Sequence, residues 1–303
     1  MAEQGTSALD AGQKETMTQH AADTAAEPRR STSSILQRVG GGLRRTWSTV
    51  WLLLLIFVLW EVAARLGDSA FFPPLSRILE NYQRVWLSSD PLTLFHSDKF
   101  WEQAGTSLSR FARGWALALV IGVGVGVLLG ANPVLGKMYN PVVRFFASIP
   151  NTLLLPIAVQ IFGIADSMNV FLICLGAVWV VLINTCDGVA GVDRMWIRSA
   201  RSLQLGKFTL YRRVVIPAAM PQIMAGARVS LGIALILMVI AELYATTAGL
   251  GHQIVIAQTS FRYLDMWSAF MVIGVVGITL NALFSLVEAR VLRWQRRAGL
   301  SAL

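Results

Sequence analysis

Glu242 is the residue in this sequence best placed to do chemistry, because it stands inside an otherwise apolar run, Ile240-Ala241-Glu242-Leu243. A carboxylate within a membrane-length segment is expensive and marks a functional position unless it is paired or hydrated. Two readings stay open. Either Glu242 lines a polar pathway, or it sits near the outer end of its segment, half hydrated or paired, and shapes a helix break before residues 246–251. Asn184 and Thr185, with Asp187, close another apolar run and fit a pathway wall or a helix end equally well. Asn151 and Gln160 belong to a run interrupted by Pro150 and Pro156. Backbone broken at membrane depth is tolerated where protein or a water-filled cavity covers it. The candidate pathway residues are therefore Asn151, Gln160, Asn184, Thr185 and Glu242. Glu61, in an earlier run, reads as structural and close to the outer interface.

Other chemistries fail on spacing. The run Gly130-Ala-Asn-Pro-Val-Leu-Gly136-Lys137-Met138 has five residues between its glycines where a phosphate-binding loop has four. Met138 replaces the hydroxyl residue that would hold Mg²⁺. The chain therefore has no ATP site of its own, and work against a gradient must draw on another polypeptide or an ion. GVGVGVLLG lacks the spacing of a dinucleotide fingerprint. Its Gly122, Gly126 and Gly130 fall at i, i+4 and i+8, a groove that lets two helices approach closely in lipid. Cys174 and Cys186 form no CxxC pair, and His20, His96 and His252 are scattered, so no metal site and no catalytic residue is expected.

The remaining concentration of polar groups is basic. Residues 192–217 carry Arg194, Arg198, Arg201, Lys207, Arg212 and Arg213 against one acid, Asp193, and lie between two apolar runs. A loop this basic between membrane spans stays in the cytoplasm. It also contains Leu203, Leu205, Phe208, Leu210 and Tyr211, which topology and lipid head groups do not require. The pattern predicts a short helix over 195–205, a break at Gly206 and a second short helix over 208–216. Together these make a compact basic knob for a protein contact.

The elements that position these residues are apolar helices. The 303 residues are 55% hydrophobic and only 14% charged, against about 25% charged in soluble domains. A span needs about 20 apolar residues. Six spans are expected, at 50–66, 114–130, 142–162, 167–186, 222–246 and 266–292. The fold is thus an all-α, polytopic membrane protein with a transmembrane domain over 47–298. Residues 1–46 are too polar to fold alone and are expected to be disordered; 299–303 form a short tail. With the amino terminus inside, 19 of the 26 Lys and Arg lie on the cytoplasmic side, which puts both termini and the basic loop there. The net charge of +9 then reflects topology and anionic lipid, and no nucleic-acid partner is expected. The amphipathic run 75–87 is expected on the outer membrane surface.

Arg198-Ser199-Ala200 followed by Val215-Ile216-Pro217 resembles the EAA loop of permease subunits of ABC importers. The stretch from Ala200 to Gly251 is similar to the nitrate/sulfonate/taurine type, and the similarity extends over roughly 50–297. The resemblance implies that Arg198, Ser199, Ala200, Arg201, Leu203, Gln204, Leu205, Gly206, Lys207, Phe208, Tyr211, Arg212 and Pro217 form the surface that couples to an ATPase. It further implies two ATP-binding subunits that hold ATP and Mg²⁺, a second permease copy in a homodimer, and an extracytoplasmic solute-binding protein. The setting would be a bacterial inner membrane and the cargo a small, anionic solute. The chain departs from the pattern at Arg198, where the family has Glu, at Ser199, where it has Ala, and at Gln204, where it has Gly. The last change moves the expected turn toward Gly206. The rival class is an ion-gradient-driven secondary transporter, which would favour several charged residues deep in the spans and an internal repeat.

Overall fold

The computed structural model describes residues 51–67, 69–88 and 96–294. The two expected tails, 1–46 and 299–303, lie outside the described residues. The chain divides into two units, Met1–Trp60 and Glu61–Leu303. Of the first, residues 51–60 are described; they are helical, and 51–59 are all apolar and exposed, as a lipid-facing segment requires. The helix runs on to residue 67 and is called α1 (51–67). Among the described residues there is no strand, only one bridge between Leu87 and His96.

Helix α2 (Leu75–Trp86) starts after Pro73-Pro74 and buries Ile78, Asn81 and Trp86. The Asn81 amide donates to Asp265 (2.9 Å) and the Trp86 indole to Ser268 (3.1 Å). The run expected to rest on lipid is therefore pinned by its inner face to another helix. Glu61 holds the start of α2, accepting from the Ser76 N–H (3.1 Å), the Ser76 hydroxyl (2.8 Å) and Arg65 (2.8 Å).

Helix α3 (Asp98–Ala131) is capped by the Ser97 hydroxyl, which accepts from the Phe100 N–H. It begins sixteen residues before the expected span, because its buried positions keep a helical period through polar sequence: Phe100, Gln103, Ala104, Ser107, Arg110, Phe111, Gly114. Helix α4 (Pro133–Ala147) starts with Pro133 in the first turn, where its missing N–H is harmless, and is capped by Asn132. A 3₁₀ turn (Asn151–Leu154) and α5 (Leu155–Phe162) follow, and the two halves meet at 78°. Pro150 forces this break, since it lacks a donor and keeps the residue before it out of a helix.

Helix α6 (Asp166–Ala190) runs parallel to α3. A Cβ placed on Gly114, Gly122, Gly126 or Gly130 would lie 2.6–2.8 Å from Ile173, Val181, Thr185 and the 186–189 turn, in constant register. The expected glycine groove is thus a contact within the chain. After α7 (Arg194–Ser202), helix α8 continues unbroken from Lys207 to Tyr244 over 38 residues. The second loop helix and the fifth span, expected as separate elements, are one rod. Pro217 would clash with the carbonyl four residues earlier, and a widened π turn at Tyr211–Val215 absorbs the clash. Helices α9 (Leu250–Thr259) and α10 (Tyr263–Val291) complete the fold.

Among the described residues α3, α6, α8 and α10 are long and apolar enough to cross a membrane, and the bent α4–α5 pair would make a fifth span. The first expected span starts outside the described residues. The main core joins α3, α6 and α8 through Phe111, Ile173, Ala177, Leu231 and Met238.

Candidate coupling and pathway site

Where α8 ends, the chain turns back into α9, and the turn closes over Glu242. The carboxylate is fully buried. One oxygen accepts from the Ser107 hydroxyl (2.8 Å) and the Gly251 N–H (3.0 Å), the other from Arg110 (3.1 Å). Arg110 also donates to the Ala248 carbonyl (2.7 Å) and to Asp166 (2.7 Å). The Gly249 N–H donates to Gln103 (2.9 Å) and the Leu250 N–H to Ser107 (2.9 Å). Helix-start N–H groups have no carbonyl partner in their own helix. Here three in succession end on side chains of α3 and α8, with a carboxylate facing the positive end of the α9 dipole.

Two glycines make that closure geometrically open. Gly249 has φ 118°, and a side chain there would run into the Glu242 carboxylate. A Cβ on Gly251 would lie 2.7 Å from that of Glu242. Arg113 donates to the outer oxygen of Asp166 (2.9 Å), so charges alternate inward from exposed Arg113 through Asp166 and Arg110 to Glu242. The chain of charges is neutral and hydrogen-bonded throughout, which is what makes a buried ion pair tolerable. Ser107 and Arg110 entered the sequence reading only as part of the stretch Ser107-Leu108-Ser109-Arg110 that extends the family resemblance, Arg110 also as an outer-side charge, and Gln103 not at all; none was tied to Glu242. Their signal was spacing: they continue the stripe of Gly114, Gly122 and Gly126 on one face of α3.

The basic loop is folded. The Asp193 carboxylate caps α7 by accepting from the Met195 N–H (2.8 Å). Ala200, Leu210 and Val215 are buried against Val189, Val192, Ala219 and Ile223, with Ile197, Leu205 and Tyr211 packed beside them. Pro217 is half-buried at the following helix. Arg198, Ser199, Arg201, Leu203, Gln204, Gly206, Lys207, Phe208 and Arg212 are exposed.

The turn after α7 stays at Gln204 and does not move to Gly206. The Leu205 N–H reaches back to the Ala200 carbonyl (3.3 Å) and the Gln204 N–H to Arg201 (2.9 Å), with Gln204 itself at φ 53°. This is a helix-ending turn whose left-handed position favours glycine, and a side chain there costs about 1 kcal/mol. Gly206 is at φ −60° and has open space around it, so nothing requires a glycine there. Gln204→Gly is accordingly expected to tighten the loop, slowing amide exchange at Leu205 by about fivefold; unchanged exchange would mean that the turn carries no strain.

The candidate pathway residues do not converge. Asn184 accepts from the Gln222 amide (3.1 Å) between α6 and α8 and donates to the Val180 carbonyl (2.8 Å). Asn151 is half-buried facing Gly176 of α6. Gln160 is exposed on α5, while Thr185 is buried against Gly126 and Glu242 lies in the clamp above. Among the described residues no group of His, Cys, Asp or Glu could hold a metal ion.

A family model described as "Binding-protein-dependent transport system inner membrane component" matches residues 118–297. The match takes in the basic loop and Glu242 and begins after Gln103, Ser107 and Arg110. The nitrate import permease protein NrtB of Leptolyngbya laminosa is 28% identical over 267 residues, covering 87% of this chain and 94% of that protein. The bicarbonate transport system permease protein CmpB of Synechococcus elongatus is 32% identical over 244 residues, covering 80% and 87%. Among solved structures, a chain of the inward-facing MetNI methionine ABC transporter has a TM-score of 0.52 at 22% identity, covering 63% of this chain and 93% of that one. That likeness is one of fold.

Proposed function

As the chain belongs to the family of binding-protein-dependent transport system inner membrane components, we propose that it forms the translocation pathway of an ATP-driven importer for a small anionic solute and is worked through loop 192–217 by a separate ATPase. The observation that carries the coupling reading is the joining of a folded basic loop, without a break, to a 38-residue helix. A partner that grips the loop moves the whole of α8, and rigid-body movement of packed helices is a recognised way to alternate access. ATP and Mg²⁺ belong to that partner in this scheme, and an external binding protein delivers the solute. An anionic cargo is supported by the similarity to the nitrate and bicarbonate permeases, which extends along most of their length.

A second copy of the chain belongs against the broken α4–α5 span. Its elbow is exposed at Ser148 and Pro150, beside exposed Phe145, Leu153, Ile157 and Ile161. Broken backbone at membrane depth needs protein or a water-lined cavity beside it. A homodimer with a pathway between the copies supplies both, in an inner membrane with the termini and the loop cytoplasmic. The gradient-driven alternative is disfavoured by Glu242, whose carboxylate is closed off by its partners instead of being open to a passing ion. Purified chain in liposomes is expected to take up nitrate, bicarbonate or a sulfonate only with an ATP-binding chain inside and a binding protein outside. Uptake by the chain alone, driven by an imposed ion gradient, would overturn the proposal.

A further inference from the structure

Resting on the anionic-cargo reading above, we propose that Arg144 is a cargo-binding residue of the pathway, holding a small oxyanion on the α4 half of the broken span, with Asn140 fixing its orientation. The sequence from 133 to 165 contains no Asp or Glu and two cations, Lys137 and Arg144. Both are exposed, and neither makes an ion pair among the described residues. With Ser148 they fall at i, i+7 and i+11, one face of α4. Exposed Met138, Val142 and Phe145 occupy a different face, so the surface suited to lipid or a second copy is separate from the charged one. The Arg144 Nε–H donates to the Asn140 carbonyl oxygen (2.8 Å), and the Nη groups have no partner among the described residues. Two parallel N–H donors are what a guanidinium offers an oxyanion. Beyond the elbow the next polar groups are the Asn151 amide and the Thr152 hydroxyl, which make no hydrogen bond among the described residues. Asp187, at the end of α6, shares a recess with Asn140 but pairs with neither cation. A single cation followed by neutral donors attracts an anion and still lets it leave.

The contacts of α4 place Arg144 within the membrane. Asn140 and Val143 share a recess with Leu182, Ile183 and Cys186 of α6. Phe146 stacks on Trp179 (5.7 Å between ring centres), and the Asn151 amide lies against Gly176. Each step along α4 thus meets α6 farther from its Ala190 end. Arg144, next to Val143, stands level with Leu182, which at ~1.5 Å per residue is about 12 Å from Ala190. Helix α6 is about 37 Å long by the same rise, against about 30 Å of hydrocarbon, so that level lies inside the apolar core. A cation at this depth marks a water-filled path or a substrate site by default.

The test uses the full-length chain in phosphatidylcholine nanodiscs and phenylglyoxal, which modifies accessible guanidinium groups, read residue by residue by mass spectrometry. Nitrate is expected to slow modification of Arg144 by at least about fivefold relative to gluconate at the same ionic strength, and to leave the exposed Arg198 of the loop unaffected. In liposomes with the ATP-binding chain and the binding protein, Arg144→Gln is expected to lower the maximal rate of nitrate uptake by about tenfold, and Arg144→Lys to recover most of it. The amount of inserted chain is measured in the same membranes. The modification experiment needs no variant, so it decides even where Arg144→Gln fails to insert. Equal modification in both salts, an Arg144 that never reacts, or normal uptake by Arg144→Gln overturns the proposal. Protection by added phosphatidylglycerol instead of nitrate makes lipid head groups the partner and overturns it as well. Protection by nitrate in a chain that takes up nothing with its partners present leaves the site standing and removes the importer reading.

Discussion

Arg110→Ala is expected to destabilise the fold by about 3–5 kcal/mol, the range for breaking a buried ion pair from one side. The reason is positional. Arg110 is the cation that faces Glu242, and it also holds the Ala248 carbonyl and Asp166. Without it the buried carboxylate keeps Ser107 and the Gly251 N–H but loses its counter-charge. Glu242→Ala is expected to cost a similar amount, while the double variant should fall short of the sum by about 1–3 kcal/mol, because neither charge is then left alone. Thermal unfolding of the purified chain in detergent measures all three, and strict additivity would mean that the two residues do not form one unit. Glu242→Gln should also reduce uptake more than Glu61→Gln. Glu61 holds Ser76 and Arg65 from a partly open position, so its loss strands no buried charge. Equal uptake by these two variants would remove any special role for Glu242.

Reversing Arg201 and Arg212 together to Glu is expected to lower transport and transport-linked ATP hydrolysis by at least about 100-fold, while insertion and stability stay near normal. Both side chains are exposed, so the fold does not depend on them. In the proposed docking, each reversal sets an acid where the loop offers a cation to its partner, and like-charge juxtapositions of that kind cost several kcal/mol. Uptake is measured in liposomes with the ATP-binding chain enclosed, and the amount of inserted chain in the same membranes. Normal uptake in the double variant would take the loop out of the coupling scheme.

Much of the helical framework was legible because apolar runs of membrane length leave few alternatives. The glycines at 122, 126 and 130 were legible as a packing face because their spacing is the period of a helix. The break at Pro150 followed from the missing donor. Three features were less legible. The long start of α3 is polar in composition and reads as a helix only through its inward stripe, which mixes Gln103, Ser107 and Arg110 with Phe100 and Ala104. The merging of 208–216 with the fifth span depends on a π turn, a backbone adjustment that no residue type announces. The role of Glu242 depends on partners more than 130 residues away in the chain, Ser107 and Arg110, and no local pattern could name them. For the same reason Gln204 looked like a displaced turn, when the backbone instead bears a modest strain at the original place.

The register between α3 and α6 restricts how the molecule can move. Four glycines on one helix meet Ile173, Val181, Thr185 and the 186–189 turn on the other, with no room for even a methyl group between them. Sliding by a fraction of a helical turn would drive a branched side chain into bare backbone at several points together, and tightly packed contacts resist that. The two helices therefore tilt as one plank. Any rocking of the subunit has to be taken up at its edges, of which the 78° elbow beside α6 is the most obviously jointed.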